Sequence, residues 1–524
     1  MQRQAAEGDG NMQFERIYMQ PDRDERIIDG VLWEFLGLCD MPHGSGNEQQ
    51  ASDYLMDRLR RMGLSPVRDD SLNVIADLPP TPGCEGAPLT AVQGHMDMVC
   101  AAAPHSAFDA ARDPVIALVR DGCLCTNGAS SLGADCGIGN AAALYLLSHP
   151  NTAHGPVRLL FTTGEEVGLK GALHMDKKYV SDVRYLINTD GFQQGDVVVS
   201  SSGGRRETYL RPLLTAVPPG DRAWRLSLDG FRGGHSGYDI DKGRANTIKL
   251  LSVFLTELSQ RVPFALASFD GGTAHNAIPF ASEAVLVAPS RHAEAMERAA
   301  FTFQQRVSDM FSVTDPCGRV RLSPCALPPR VWSDADMRAT LDLCILIYNG
   351  VYSMDAYLPG RVGSSSNLGR VTVNGSGQVE VRSMVRCAVG ANEEIIAMQH
   401  RRAAAMAGFT MTVGGYKGWP GTADNPLAQL MDRVYYRQNA RHLHITSMHA
   451  GLETSAFYEK NPGMGIVSAG MTVRNPHSPD EHVEIVSIPP YVKMLHGTLR
   501  AIGHGLLQPA APDDGGLLGV GAAD

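Results

Sequence analysis

Val157-Arg-Leu-Leu-Phe-Thr-Thr-Gly-Glu-Glu166 is an apolar run of strand length that ends, past a glycine, in two adjacent carboxylates. The same construction occurs in Leu89-Thr-Ala-Val-Gln-Gly-His-Met-Asp97 and again in Val183-Arg-Tyr-Leu-Ile-Asn-Thr-Asp190. Short apolar runs bounded by Gly and Pro read as strands covered on both faces. Between them lie stretches of helical spacing, Ile138 to Leu147 after a glycine-rich segment and Leu169 to Lys178. Alternation of this kind predicts an α/β fold with a mostly parallel sheet covered by helices. In such sheets ligands collect beyond the carboxyl ends of the strands, so the polar residues closing each run are expected in one crevice.

Working outward, apolar spacing predicts two leading helices, over Ile27 to Cys39 and Ala51 to Met62, and a further strand over Leu72 to Leu78. From about Gly204 the texture changes. Glu207 to Leu213 and Arg225 to Leu228 alternate like half-exposed strands, Ser282 to Ala288 and Val379 to Arg386 read as strands, and helices are expected over Ala245 to Gln260, Ala293 to Met310 and Ser333 to Tyr348. That segment reads as a separate α+β domain inserted into the first. The first pattern is expected to resume near Phe409, with a strand at Thr410 to Val413, a helix over Pro426 to Gln438, a strand at Ile466 to Ser468 and a closing helix over Pro490 to Ile502. The expected division is a disordered extension over 1–26, a catalytic domain over 27–203 and 397–506, an inserted domain over 204–396, and a disordered tail over 507–524.

The chain has 524 residues, too many for one ordinary core, and a formal net charge of -10, which argues against nucleic acid as a partner. No run is apolar enough to span a bilayer, and the polar N-terminus lacks a secretory core, so a cytoplasmic protein without a membrane partner is expected. Its ten cysteines are scattered from Cys39 to Cys387, unlike a disulfide framework. Cys123-Leu-Cys125 lacks a second pair at zinc-finger spacing.

Five clusters carry the chemistry: His95 with Asp97, Asp135, Glu165 with Glu166, Asp190, and His477. Imidazole and carboxylate together suit zinc, manganese or cobalt, and two such ions can generate hydroxide near neutral pH. In a His-x-Asp unit on extended backbone both side chains lie on one side, so Asp97 can support the His95 imidazole. Asp135, opening a helix, suits an N-cap and a bridging ligand alike. Adjacent glutamates point apart, leaving one to bind metal and the other to take a proton. Singly, each cluster has an ordinary reading as a solvated or structural group; together, after strands, they point to a hydrolase.

The motifs Gln93-Gly-His-Met-Asp-Met98, Ser131-Leu-Gly-Ala-Asp135, Thr163-Gly-Glu-Glu166, Leu186-Ile-Asn-Thr-Asp190, Gly233-Gly-His-Ser-Gly237, Asn276-Ala-Ile-Pro279, His449-Ala-Gly-Leu-Glu453 and Pro476-His-Ser-Pro-Asp-Glu481 occur in order. In these the chain resembles metallopeptidase family M20, and within it the aminoacyl-histidine dipeptidase (cytosol non-specific dipeptidase) group, over roughly Ile28 to Ile502. The resemblance implies two divalent ions, zinc first and cobalt or manganese as alternatives. One would be held by His95 and Asp190 and the other by Glu166 and His477, with Asp135 bridging. Glu165 becomes the general base and Asp97 the orienting residue in attack of a metal-bridged hydroxide on a dipeptide, Xaa-His dipeptides included. The inserted segment resembles the family's lid, which implies a homodimer through it. Its His235 would stabilise the oxyanion, Asn276 and Arg386 would take the substrate carboxylate, and Glu453 would meet the free amine.

Three departures stand out. Cys136 follows Asp135 where the family usually has Asn or Asp next to a cis bond, His275 replaces an Arg before Asn276, and Thr454-Ser455 replaces a small or Cys-containing pair. A deacylase of N-acyl amino acids and a catalytically silent binding protein are the competing readings.

Overall fold

The computed structural model describes residues 23–149, 152–422 and 424–507, so most of the expected N-terminal extension and C-terminal tail lies outside the described residues. The leading helix Arg23–Cys39 begins inside the span expected to be disordered, with Asp24 and Glu25 in its first turn, where carboxylates favour the helix dipole. The chain forms two compact units, one from the described parts of Met1–Val198, Asp424–Ile445 and Lys460–Asp524, the other from Val199–Ala423 and Thr446–Glu459.

The first unit is built on an eight-stranded sheet in the order Val67–Arg68, Val74–Leu78, Val157–Thr162, Thr90–His95, Tyr185–Asn188, Gly465–Ser468, Asp196–Ser201, His444–Met448. The expected parallel pairing holds at its centre. Thr90–His95 runs parallel to Val157–Thr162 and to Tyr185–Asn188, which runs parallel to Gly465–Ser468. Toward the edges the pairing turns antiparallel. Every residue of Thr90–His95 and of Tyr185–Asn188 is buried, which is why these strands read as unbroken apolar runs. The helix Ala134–Ser148 is buried almost throughout and is rich in Ala, so it packs closely. A Cβ on Gly94 would lie 2.3 Å from Asn140 Oδ1, and one on Gly139 would lie 2.4 Å from the Thr189 carbonyl oxygen. Only glycine at these two positions lets the helix start press against the strand ends. A four-stranded antiparallel sheet, Val473–Arg474, His482–Glu484, Cys123–Thr126 and Ala117–Arg120, carries the loop that contains His477.

The second unit is an antiparallel sheet in the order Arg319–Cys325, Arg222–Asp229, Ser282–Ala288, Ala265–Gly271, Val362–Val373, Gln378–Cys387, Gly204–Pro212, Thr410–Tyr416, with Gly350–Met354 paired to Val362–Val373. Helices Thr247–Ser259, Ala293–Met310, Asp334–Leu346 and Gly390–Met406 belong to the same unit. The Asn246 side chain accepts from the Lys249 N–H and that of Ser333 from the Asp336 N–H, capping two of them. One apolar core joins Trp224, Phe254, Leu286, Phe303 and Val381.

The division differs from the expected one. Thr410–Tyr416 does not return to the first unit but pairs antiparallel with Gly204–Pro212, Thr410 opposite Leu210 and Tyr416 opposite Gly204. Thr446–Glu459 joins the second unit as well. The helix Gly390–Met406 connects Gln378–Cys387 to Thr410–Tyr416, strands that flank Gly204–Pro212 on either side in one sheet, an arrangement set by pairing partners about two hundred residues apart rather than by local pattern.

Candidate metal centre

The first unit brings His95, Asp135, Glu166, Asp190 and His477 together, with Glu165 beside Glu166. His95 is the last residue of its strand, Glu165 and Glu166 follow Val157–Thr162 through Gly164 at φ +59, and Asp190 lies two residues past Tyr185–Asn188. Asp135 stands in the first turn of Ala134–Ser148 with non-helical backbone (φ -82, ψ 107), and its peptide bond to Cys136 is cis. His477, at φ +61, comes from the loop between Val473–Arg474 and His482–Glu484.

Asp135 is the hub. Its Oδ1 lies 3.4 Å from His95 Nε2, and that nitrogen lies 4.0 Å from Asp190 Oδ2. Its Oδ2 accepts from His477 Nε2 at 3.0 Å, and the same nitrogen lies 2.8 Å from Glu166 Oε1. One carboxylate thus faces two groups of donors, each holding an imidazole and a second carboxylate. His95 Nε2 and Asp190 Oδ1 are buried and make no hydrogen bond. A buried polar atom without a partner is costly.

Protons crowd this negative cage. Burial alone would pull the His95 imidazolium down, yet Asp135 and Asp190 beside it hold it well above the usual range. Burial likewise opposes a charged His477, but hydrogen bonds to Asp135 and Glu166 lift it to about 10. Burial and the Asp135 charge push Asp190 and Glu166 up, whereas in Asp135 the two histidines overcome burial and hold the carboxyl well below its usual range. A site that stabilises cations this strongly has the electrostatics a divalent ion requires.

Supporting groups differ in part from expectation. His95 Nδ1 lies 2.9 Å from the main-chain oxygen of Asp97 and 3.6 Å from its carboxylate, so the main chain supplies the closer contact to the ring. The Asp97 carboxylate accepts from Ser45 Oγ (2.7 Å), from the Glu165 N–H (3.0 Å) and from the Glu166 N–H (3.3 Å), holding the turn that carries both glutamates. Glu481, quoted in the last motif but given no role there, takes the N–H groups of Leu132, Gly133, Ala134 and Asp135 at 2.8, 3.0, 2.9 and 3.2 Å. It supplies the N-terminal capping that Asp135 could have supplied itself, leaving the Asp135 carboxylate for the cage. Burial pushes Glu481 up to about 7. Asn140 Nδ2 donates to the His95 carbonyl oxygen at 2.5 Å. Glu481 and Asn140 both lie in or beside quoted motifs, but only the folded contacts reveal what they hold.

His235, Asn276, Arg386 and Glu453 belong to the second unit. Gly234–His235 pairs with Ala277–Ile278, and the Ser236 N–H donates to the Asn276 carbonyl at 2.8 Å. Arg386, 3% exposed, donates through Nε to Ser236 Oγ and through Nη2 to His235 Nε2 at 3.3 Å, while its Nη1 is buried without a partner. Glu453 is fully buried. Burial, with Arg206, Arg386 and Arg382 nearby, holds His275 down at about 4, so this replacement for a cation is neutral amid three cations. His449, quoted in its motif but given no role there, lies between Ser202 Oγ (2.8 Å) and Ser365 Oγ (2.7 Å) and is held down at about 3 by burial, Arg386 and His235.

A model of peptidase family M20/M25/M40 matches residues 91–501. The chain is 31% identical over 475 residues to the cytosol non-specific dipeptidase of Escherichia coli (strain K12), covering 90% of this chain and 97% of that one. Among solved structures, aminoacylhistidine dipeptidase from Vibrio alginolyticus superposes with a TM-score of 0.79 at 28% identity, over 92% of this chain and 97% of the other. Aminopeptidase PepT from Bacillus cereus ATCC 10987 gives 0.53 at 14% identity, over 91% and 98%, a likeness of fold.

Proposed function

The chain belongs to peptidase family M20/M25/M40, and on that premise we propose that it is a two-metal dipeptidase that hydrolyses unblocked dipeptides, Xaa-His among them. The observation that carries the reading is the Asp135 carboxylate, one oxygen turned to His95 and the other to His477, whose Nε2 also meets Glu166. The partnerless His95 Nε2 and Asp190 Oδ1 fit a cation between them. One ion would be held by His95 and Asp190, the other by Glu166 and His477, with Asp135 shared. Zinc suits this nitrogen and oxygen set, with cobalt and manganese as alternatives. When bound, such ions acidify water toward a pKa of about 7 and polarise the peptide carbonyl.

The remaining work falls to the chain's own residues. Glu165, half-buried and fixed through its N–H by Asp97, takes a proton from the attacking water and passes it to the leaving amine. Asp97 orients that turn. Arg386, with a buried unpaired Nη1, turns from His235 Nε2 to the substrate's carboxylate together with Asn276, which frees that nitrogen of His235 to carry a proton and donate to the developing oxyanion. Glu453 meets the free amine. The homodimer through the second unit and a cytoplasmic setting complete the proposal; no helix among the described residues is long and apolar enough to cross a membrane.

The test is an assay of the zinc-loaded chain against matched free and N-acetylated dipeptides. Turnover of free dipeptides is expected. Turnover confined to acetylated substrates would replace this reading with a deacylase, and no turnover of either by metal-loaded protein would favour a binding protein.

A further inference from the structure

Cys136 follows the shared carboxylate and is 2% exposed. A ligating nitrogen of His95, the Cys136 Sγ and a carboxylate oxygen of Asp190 all lie within 4.8 Å of one another, and all three residues are buried. Two of these residues carry the partnerless atoms His95 Nε2 and Asp190 Oδ1. The thiol is confined: Sγ lies 3.2 Å from Thr189 Oγ1, and a Cβ on Gly94 would approach it to 2.7 Å. Thr189 Oγ1 in turn donates to the Gln93 carbonyl at 3.2 Å, so its lone pairs face the S–H.

We propose that Cys136 is a third donor, beside His95 and Asp190, to the ion on that side of Asp135, so that this position takes a borderline-soft ion such as zinc or cobalt in preference to manganese. The proposal rests on the two-metal reading above. Asn or Asp, which the resemblance places after the bridging carboxylate, would offer oxygen; sulfur changes the chemistry of the position. On binding, the Sγ–H bond breaks, an Sγ–metal bond forms and the proton passes to solvent. No electron is transferred. The Thr189 hydroxyl then turns its hydrogen from the Gln93 carbonyl to the thiolate.

Cobalt(II) added to the metal-free full-length chain tests this directly. Wild-type protein is expected to show thiolate-to-cobalt charge transfer in the near ultraviolet beside the visible ligand-field bands, and Cys136→Ser to lose the former while keeping the latter. Zinc affinity of that variant should fall at least as far as the roughly 10–100-fold that loss of an outer partner costs, with a smaller change for manganese. Zinc-edge X-ray absorption of the wild type gives a readout that needs no variant: a sulfur neighbour at about 2.3 Å is expected. Cobalt bound without charge transfer, the same band in Cys136→Ser, or zinc surrounded by nitrogen and oxygen alone would overturn the assignment while leaving the two-metal reading standing. Failure to bind cobalt or zinc at all would overturn both.

Discussion

Glu165 and Glu166 are neighbours in sequence with different surroundings, and the difference separates their roles. Glu166 Oε1 is 2.8 Å from His477 Nε2, whereas the half-buried Glu165 is tied through its main-chain N–H to the Asp97 carboxylate. Replacing Glu165 by Gln removes the proton acceptor without touching the donors around Asp135. Turnover is expected to fall about 10²–10⁴-fold, while zinc content measured by elemental analysis stays at the wild-type value; lost zinc or retained activity would refute the assignment. At this scale the sequence was informative because ligand types stand at strand ends, where composition alone marks them. Glu481 was opaque for the opposite reason. A carboxylate that takes four main-chain N–H groups almost 350 residues away looks, in sequence, like any acidic loop residue.

Among the elements, strands with a regular apolar pattern are legible, and the expected bounds of Ser282–Ala288 agree with the structure to the residue. Val362–Val373 was missed because its buried stretch is Gly-Ser-Ser-Ser-Asn, small polar residues without apolar alternation. The strand expected at Thr410 to Val413 extends to Tyr416 and pairs within the second unit, since local pattern carries no information about which sheet pairs with it. The strand it joins holds Glu207, whose buried carboxylate accepts from Arg205 Nε (2.7 Å), Tyr209 OH (2.6 Å), Ser383 Oγ (2.8 Å) and His400 Nδ1 (2.6 Å). Burial alone would raise its pKa, but His400, Tyr209 and Arg205 bring it down to about 2 from an ordinary 4.5. A carboxyl depressed by folding contributes stability fully above its unfolded pKa, and loses it as the pH falls from about 4.5 toward about 2. The shift corresponds to about 3 kcal/mol. Glu207→Gln should therefore lose stability of that order at pH 7 in urea unfolding, and the gap between variant and wild type should close across that acid window. A gap independent of pH would show that the charge of Glu207 contributes nothing.

For the whole molecule, the sequence pattern predicts one body with a second inserted into it but sets the return to the first too early, because boundaries depend on contacts that close over long separations. The consequence for metal dependence is specific. His95, Asp135, Glu166, Asp190 and His477 all lie in the first unit, on three strand ends, one helix start and one loop. Without ions, that unit must keep five charged or proton-sharing side chains together by protons alone, as the raised His95, His477, Glu166 and Asp190 indicate. An ion present at a thousand times its dissociation constant stabilises the form that binds it by about 4 kcal/mol, which suppresses local opening about a thousandfold. Chelation should thus raise amide hydrogen exchange by up to that factor in 132–140, 163–170 and 475–484, the segments that carry Asp135, Glu166 and His477. Exchange in Gly204–Pro212 and Gln378–Cys387, strands of the second unit without a proposed ligand, should stay the same. Mass spectrometry of deuterated peptides reads both sets in one experiment. An equal rise in both, or none in the first set, would place the ions somewhere other than around Asp135.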